Sequence, residues 1–472
     1  MRRVGLLLVC VCWRASLLGA QSEPTASMSG KWDVTASPEG RAPIKLSADL
    51  KHDAHGLSGT VNSPLGSGPV KNAVIHGSEV VFQFMLGRYT FDVKAVSEGD
   101  EIRGTFSGPR NMKGPFLAKR IGPRPAVAPT PGVETGMLGG ASYRIDIPAS
   151  FNGQLVLYCH GYGGATKFDP QTPPTALMKA FLDAGYALAQ SGYSQAGWAV
   201  KEGIEETEAL RKYFVGKYGA PKRTWVVGHS MGGTITLATV ESFPDAYDGA
   251  LQMCGPVGPS LTALQRRLFD TLVVYDYYFP GLLGSPVQPG ENVRMDPEFL
   301  IQIQKEAQMY PDRLAAFQKW SGLSSEVEVS QVVAFYAVIQ KELIARAGGN
   351  PFDNRNRLYH GSPDDVALNR GVKRYAANPQ AAEYLRKYYT PKGELRKPVL
   401  SLHTTNDPLV PAWIANEYGD LAILRGSGDW YVQRFVPRSG HCNFTPEETL
   451  RAFQDLVAWR ESGTRPEAGE QK

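Results

Sequence analysis

The 472-residue chain reads as a small all-β unit followed by an α/β unit, a mostly parallel sheet with helices on both faces and a helical cap inserted late in its order. Three observations carry this reading. Residues 30–119 alternate apolar and polar side chains with a period of two and are interrupted every several residues by Gly, Pro, Asn, Asp or Ser. From about residue 136 onward strand-like and helix-like segments alternate, the order that a parallel sheet needs for its crossovers. Residues from about 256 to 395 then run almost wholly in helical pattern before strands resume.

In the first zone Ile44-Lys45-Leu46, Val80-Val81-Phe82-Gln83-Phe84 and Tyr89-Thr90-Phe91-Asp92-Val93 read as strands of a meander or small barrel. Gly56-Leu57-Ser58-Gly59-Thr60-Val61 is echoed by Glu101-Ile102-Arg103-Gly104-Thr105-Phe106, and each looks like a strand with a glycine at a close backbone approach. This zone carries no catalytic constellation, so a stabilising or spacer role is expected, with surface or polymer binding as the rival. Residues 120–135 are Pro-rich and nearly uncharged, the composition of a semi-rigid spacer. Beyond it, strands are expected at 155–158, 186–189 and 224–227, with helices at 175–184, 205–218 and 235–243. Gly219 and Pro244 stop the last two helices. The insertion predicts helices over 261–278, 297–309 and 327–347. A strand at 398–403, a helix at 412–424, a strand at 431–436 and a helix at 446–459 complete the α/β unit, which spans 136–465.

Composition bounds the function. The formal net charge is only +4, and Arg2, Arg3 and Arg14 lie in the first 20 residues; without them the balance is about +1. No basic stripe points to nucleic acid. Met1-Arg2-Arg3, an apolar stretch of about ten residues and Leu18-Gly19-Ala20 form the pattern of a cleaved secretory signal over 1–20, too short to span a bilayer comfortably. An exported, secreted or periplasmic chain without stable membrane insertion is expected. Cys159, Cys254 and Cys442 would remain after processing, too few for a disulfide scaffold and without a zinc-type spacing.

Gly228-His229-Ser230-Met231-Gly232 matches G-x-S-x-G, a sharp turn that exposes a serine between a strand and a helix, and the flanking pattern supplies both elements. Gly192-Tyr193-Ser194-Gln195-Ala196 lacks the second glycine and a clean following helix. A serine hydroxyl needs a base. Among the eight histidines only His441, in Ser439-Gly440-His441-Cys442, lies in a loop after the last sheet strand, where it can hang over the sheet's carboxyl edge. Asp407, just after the strand that contains His403, can fix the imidazole; Asp245, Asp248 and Asp420 are rivals at helix ends or turns. His160-Gly161-Tyr162-Gly163-Gly164, after the strand at 155–158, offers a turn whose backbone N–H at Tyr162, paired with that of Met231, forms an oxyanion hole.

These residues resemble the α/β-hydrolase superfamily over about 136 to 460: the elbow 228–232, the His160-Gly161 turn, Asp407-Pro408-Leu409-Val410-Pro411 and Ser439-Gly440-His441 all fit, in the order Ser, Asp, His. The resemblance implies a capped bacterial serine hydrolase, similar to carboxylesterases and including feruloyl-esterase-like enzymes. Tannase-like members have cysteines next to both serine and histidine; here Cys442 follows His441, but no cysteine precedes Ser230. Cys442 is placed to pair with Cys159 or with Cys254 and hold the histidine loop, the alternative being three reduced, buried thiols. The expected activity is hydrolysis of a small-molecule ester through an acyl-enzyme, with a proline-specific or tripeptidyl-type serine peptidase as the alternative and a non-enzymatic binding module as a further rival. No cofactor is implied. Tyr275-Asp276-Tyr277-Tyr278-Phe279 in the cap reads either as pocket wall or as cap core.

Overall fold

A computed structural model describes residues 28–471 except 54, 55, 65, 77 and 123–127. The leader reading over 1–20 therefore lies outside the described residues. The chain divides into two compact units, Met1–Val127 and Ala128–Lys472.

In the first unit eight antiparallel strands close on themselves: β1 (Gly30–Ala36), β2 (Ile44–Asp53), β3 (Gly56–Ser63), β4 (Gly66–His76), β5 (Glu79–Leu86), β6 (Tyr89–Glu98), β7 (Glu101–Gly108) and β8 (Met112–Ile121). Closure comes from β8 pairing back onto β1, Lys31 opposite Ile121, which leaves no open edge. Alternate side chains fill the interior, among them Trp32, Phe82, Phe84, Val93, Phe106 and Phe116. The echoed glycines are both close approaches: a Cβ on Gly59 would lie 2.2 Å from the carbonyl oxygen of Asp49, and one on Gly104 2.0 Å from that of Lys94.

The second unit opens with an antiparallel pair, β9 (Gly132–Leu138) and β10 (Ala141–Ile147). Because β9 starts at Gly132 and β8 runs to Ile121, the stretch read as spacer at 120–135 is shortened from both ends. Its proline-rich composition disguised the first sheet strand. There follow β11 (Gln154–Cys159), α1 (Ala176–Asp183), β12 (Ala187–Ser191), α2 (Val200–Tyr218), β13 (Arg223–His229), α3 (Met231–Ser242) and β14 (Gly249–Met253). The insertion comes next, with α4 (Asp270–Tyr278), the two-residue strands β15 (Gly284–Ser285) and β16 (Gln288–Pro289), α5 (Pro297–Met309), α6 (Pro311–Ser321), α7 (Glu326–Ala347), α8 (Asp365–Gly371) and α9 (Pro379–Tyr389). The sheet resumes with β17 (Val399–Asn406), α10 (Trp413–Leu424), β18 (Tyr431–Ser439), α11 (Pro446–Ser462) and β19 (Gly469–Glu470).

The nine strands lie in the order β19-β18-β17-β14-β13-β11-β12-β10-β9, parallel from β19 through β12 and antiparallel at the β10 and β9 edge. Along β11, Leu155, Leu157 and Cys159 pack into one core while Val156 and Tyr158 pack into the other. A strand buried on both faces reads as a continuous apolar run, which is why 155–158 shows no alternation. Helices α2 and α3 cover the first face through Leu210, Phe214, Ile235 and Val240; α1 and α11 cover the second through Phe181, Phe453 and Leu456. One expected helix differs: Ser260–Phe269 is wound as a π-helix, with the Asp270 N–H reaching the Gln265 carbonyl, before it tightens into α4. The aromatic run at its end is mostly cap core, Tyr275 and Phe279 being about 1% exposed.

Candidate functional site

The site forms where three loops meet at the carboxyl ends of β13, β17 and β18. Ser230 stands between β13 and α3 with φ 54° and ψ −126°, a left-handed backbone that a non-glycine residue adopts only when its surroundings impose it. The surroundings are close: a Cβ on Gly228 would lie 2.4 Å from the Gly232 carbonyl oxygen, and one on Gly232 2.0 Å from that of Cys159. Only glycine fits at both places. The Ser230 N–H is held by the Met253 carbonyl at 2.9 Å, so the turn is tied to the neighbouring strand.

His441 Nε2 lies 2.8 Å from Ser230 Oγ, and His441 Nδ1 lies 2.7 Å from Asp407 Oδ2. The Asp407 side chain is fully buried, and its other oxygen accepts the N–H groups of Leu409 at 2.9 Å and Val410 at 2.8 Å. With both oxygens engaged, the carboxylate can turn neither away from the imidazole nor toward solvent. The histidine loop is fixed in turn. Gly440 donates its N–H to Asn406 and accepts from Thr404 Oγ1, and Arg438 spans Glu448 and the Asn443 carbonyl.

A disulfide joins Cys442 to Cys254, across 188 residues and with Cα atoms 5.4 Å apart. Of the two partners open to Cys442, the structure selects the one at the end of β14. Cys159 remains a buried free thiol, its pKa pushed up to about 11 by burial. The Cys254, His441 and Cys442 ligand atoms lie within 4.8 Å of one another, but both sulfurs are committed to the disulfide and both ring nitrogens face Ser230 and Asp407. That cluster is not a metal site.

The glycine-rich turn after β11 lies beside the serine, since a Cβ on Gly161 would sit 3.4 Å from Ser230 Cβ. Met231 is the first residue of α3, whose leading N–H groups have no acceptor within the helix. The backbone at Tyr162 belongs to the same turn, anchored by Gly197 donating to the Gly163 carbonyl at 2.8 Å. The Tyr162 side chain points into the cap, donating to Glu342 Oε1 at 2.7 Å, while Glu342 Oε2 accepts the Trp198 N–H at 2.8 Å. Glu342, on α7, thus ties the cap to the turn.

The other histidines and acids have different partners. His229 is held by Tyr158 at 2.8 Å, and burial pushes its pKa down to about 4. His403 is buried in β17 and His160 stacks on Tyr193, and burial lowers both. Asp248 binds Arg223 and the Thr224 N–H at the opposite end of β13, and the Ser194 N–H is held by Glu206.

A cavity opens at Ser230. Its wall is mostly apolar, from Leu264, Leu268, Phe335, Ile339 and Leu409, with Arg267 as the charged exception. Arg267 and Glu342 were not found from sequence. Each occupies a cap helix position where a charged residue reads as solvated surface, and only the packing of the cap turns it inward.

A profile of the alpha/beta hydrolase fold family matches residues 154–425, more than half of the chain. The chain belongs to the α/β-hydrolase family. It is 25% identical over 397 residues to an o-phthalyl amidase of Xanthobacter agilis, an alignment covering 69% of this chain and 86% of that protein. Solved structures to which the chain is similar include a puromycin-hydrolysing peptidase of Mycobacterium tuberculosis (14% identity, TM-score 0.39, 93% of this chain and 56% of that one). A Pyrococcus furiosus esterase is a second (13% identity, TM-score 0.39, 72% of this chain and 98% of that one). Among the described residues no helix is long and apolar enough to cross a membrane.

Proposed function

We propose that the chain is an exported serine hydrolase that cleaves carboxylic esters of small molecules through an acyl-enzyme. The observation that carries this is the hydrogen-bonded series Ser230–His441–Asp407. His441 Nε2 takes the proton of Ser230 as Oγ adds to the carbonyl carbon, and Asp407 stabilises the imidazolium and holds its tautomer. The backbone N–H groups of Tyr162 and Met231 receive the oxyanion. His441 then delivers its proton to the leaving oxygen; water repeats the sequence to release the acid.

Amide cleavage by the same residues is the second reading, and the relative named as an o-phthalyl amidase favours it. A cap acid free to bind a substrate amino-terminus would favour a peptidase that works from the chain end. Glu342 is the cap acid tied to the glycine-rich turn, and both its oxygens are engaged by Tyr162 and the Trp198 N–H. Export is supported by the leader pattern and by a disulfide, a bond that persists in oxidising compartments.

A panel of aryl esters and aminoacyl arylamides, run with wild type and Ser230→Ala, tests the reading. Ester turnover is expected to dominate and to fall by about 10⁴-fold or more in Ser230→Ala. Preference for arylamides would replace the ester assignment, and activity surviving in Ser230→Ala would remove the mechanism.

A further inference from the structure

Arg267 lies on the π-helical stretch Ser260–Phe269, at a place in a helix where irregular winding often marks function. It is only 9% exposed and stands in the wall of the cavity that opens at Ser230. Its neighbour Arg266 pairs with Glu417 at 3.6 Å, whereas Arg267 is bonded to neutral oxygens alone. Its Nε donates to Tyr336 Oη at 2.8 Å, its Nη1 to the Ser321 carbonyl at 3.4 Å and its Nη2 to the Pro408 carbonyl. The carboxylate next along the chain from Pro408, Asp407, is already engaged by His441, Leu409 and Val410. A guanidinium has five N–H donors, so three are used and two remain. Burying a cation without a carboxylate directly on it is costly, and planar two-point pairing with a carboxylate is the arrangement a guanidinium satisfies best.

We propose that Arg267 is the anion-binding group of this cavity, and that the substrate is an ester or amide whose acyl part carries a second, free carboxylate, as in a half-ester or half-amide of a dicarboxylic acid. The acyl part is assigned because it stays bonded to Ser230 Oγ through half the cycle, and Ser230 forms part of the cavity wall. This rests on the serine-hydrolase reading above and adds the substrate class to it. Arg267 also braces the acid loop, since Tyr336 donates to the Leu409 carbonyl. A purely structural role would therefore impair all substrates alike, while anion binding impairs one class selectively.

The test compares the aryl monoester of adipic acid with an aryl ester of a neutral acid of the same shape, its carboxylate replaced by an isopropyl end, each rate normalised to that ester's hydroxide hydrolysis. Wild type is expected to prefer the anionic ester in kcat/KM by about 10- to 100-fold. Arg267→Met is expected to bring the ratio close to one, and Arg267→Lys to keep part of it. A wild-type ratio at or below one overturns the proposal, as does a ratio unchanged in Arg267→Met. Should Arg267→Met lack a folded near-UV signal, Arg267→Lys is read instead: a weakened ratio supports the assignment and an unchanged one overturns it. Should wild type turn over neither ester, the hydrolase reading falls, and calorimetric titration of free adipate into Ser230→Ala decides the binding site separately. Binding lost on adding Arg267→Met supports the site; absent or unaltered binding overturns it.

Discussion

His229 sits inside the elbow motif yet has no part in the proton path. Its imidazole is buried against Tyr158 with its pKa lowered from 6.5 to about 4, first by burial and then by repulsion from His160 and His441. The folded chain therefore refuses a proton that the unfolded chain accepts. Stability from this group is complete above pH 6.5, is lost as pH falls from 6.5 to 4, and is flat below 4. The loss amounts to about 3 kcal/mol. Denaturant unfolding at several pH values is expected to show that decline, and His229→Gln, which keeps a partner for Tyr158, is expected to shrink it. An equal slope in both proteins would mean that His229 is not responsible. Ser230, His441 and Asp407 were legible at this scale because each lies in a turn with its own local signature. Arg267 and Glu342 were not, because nothing within a turn or two of a helix says which way a charged side chain will face.

At the scale of elements, the disulfide joins the end of β14 to the loop between β18 and α11. Both half-cystines have positive φ, 45° at Cys254 and 51° at Cys442. Cys254→Ser with Cys442→Ser is expected to lower stability by roughly 2–5 kcal/mol. It is also expected to depress kcat more than KM, because His441 adjoins the bond and loses its placement before substrate contacts are lost. A kcat equal to wild type would show that the polar contacts of Gly440 and Arg438 hold the loop alone. Thiol titration of the denatured, processed protein is expected to find one thiol, Cys159, and labelling of the folded protein should be slow because that thiol is buried and its pKa raised. Strands and helices were mostly visible as periodicities, including the helix Pro297–Met309. Two were misread. The strand Gly132–Leu138 carries the composition of a spacer, and the π-helical turns of Ser260–Phe269 share the apolar spacing of an ordinary helix.

For the whole molecule, the barrel and the α/β unit each enclose a hydrophobic core of their own. Every residue proposed for the chemistry belongs to the second unit. A chain beginning at Ala128 is therefore expected to fold and to hydrolyse an aryl ester with kcat/KM of the same order as the full chain. Loss of folding or of activity in that shortened chain would assign the barrel more than a spacer's role.

The sequence by itself determined most of the order of strands and helices, the two-part organisation and the turn that presents Ser230, because periodicity, glycine placement and strand-to-helix junctions are local properties. Tertiary structure decided the rest. Ser230 and His441 are 211 residues apart, and Asp407 and His441 are 34 apart. They meet because the sheet places β13, β14, β17 and β18 side by side with their carboxyl ends on one edge. The same stacking order chose Cys254 over Cys159 for Cys442. Folding the cap over that edge brought Arg267 and Glu342 inward, and which face of a helix becomes buried depends on what packs against it.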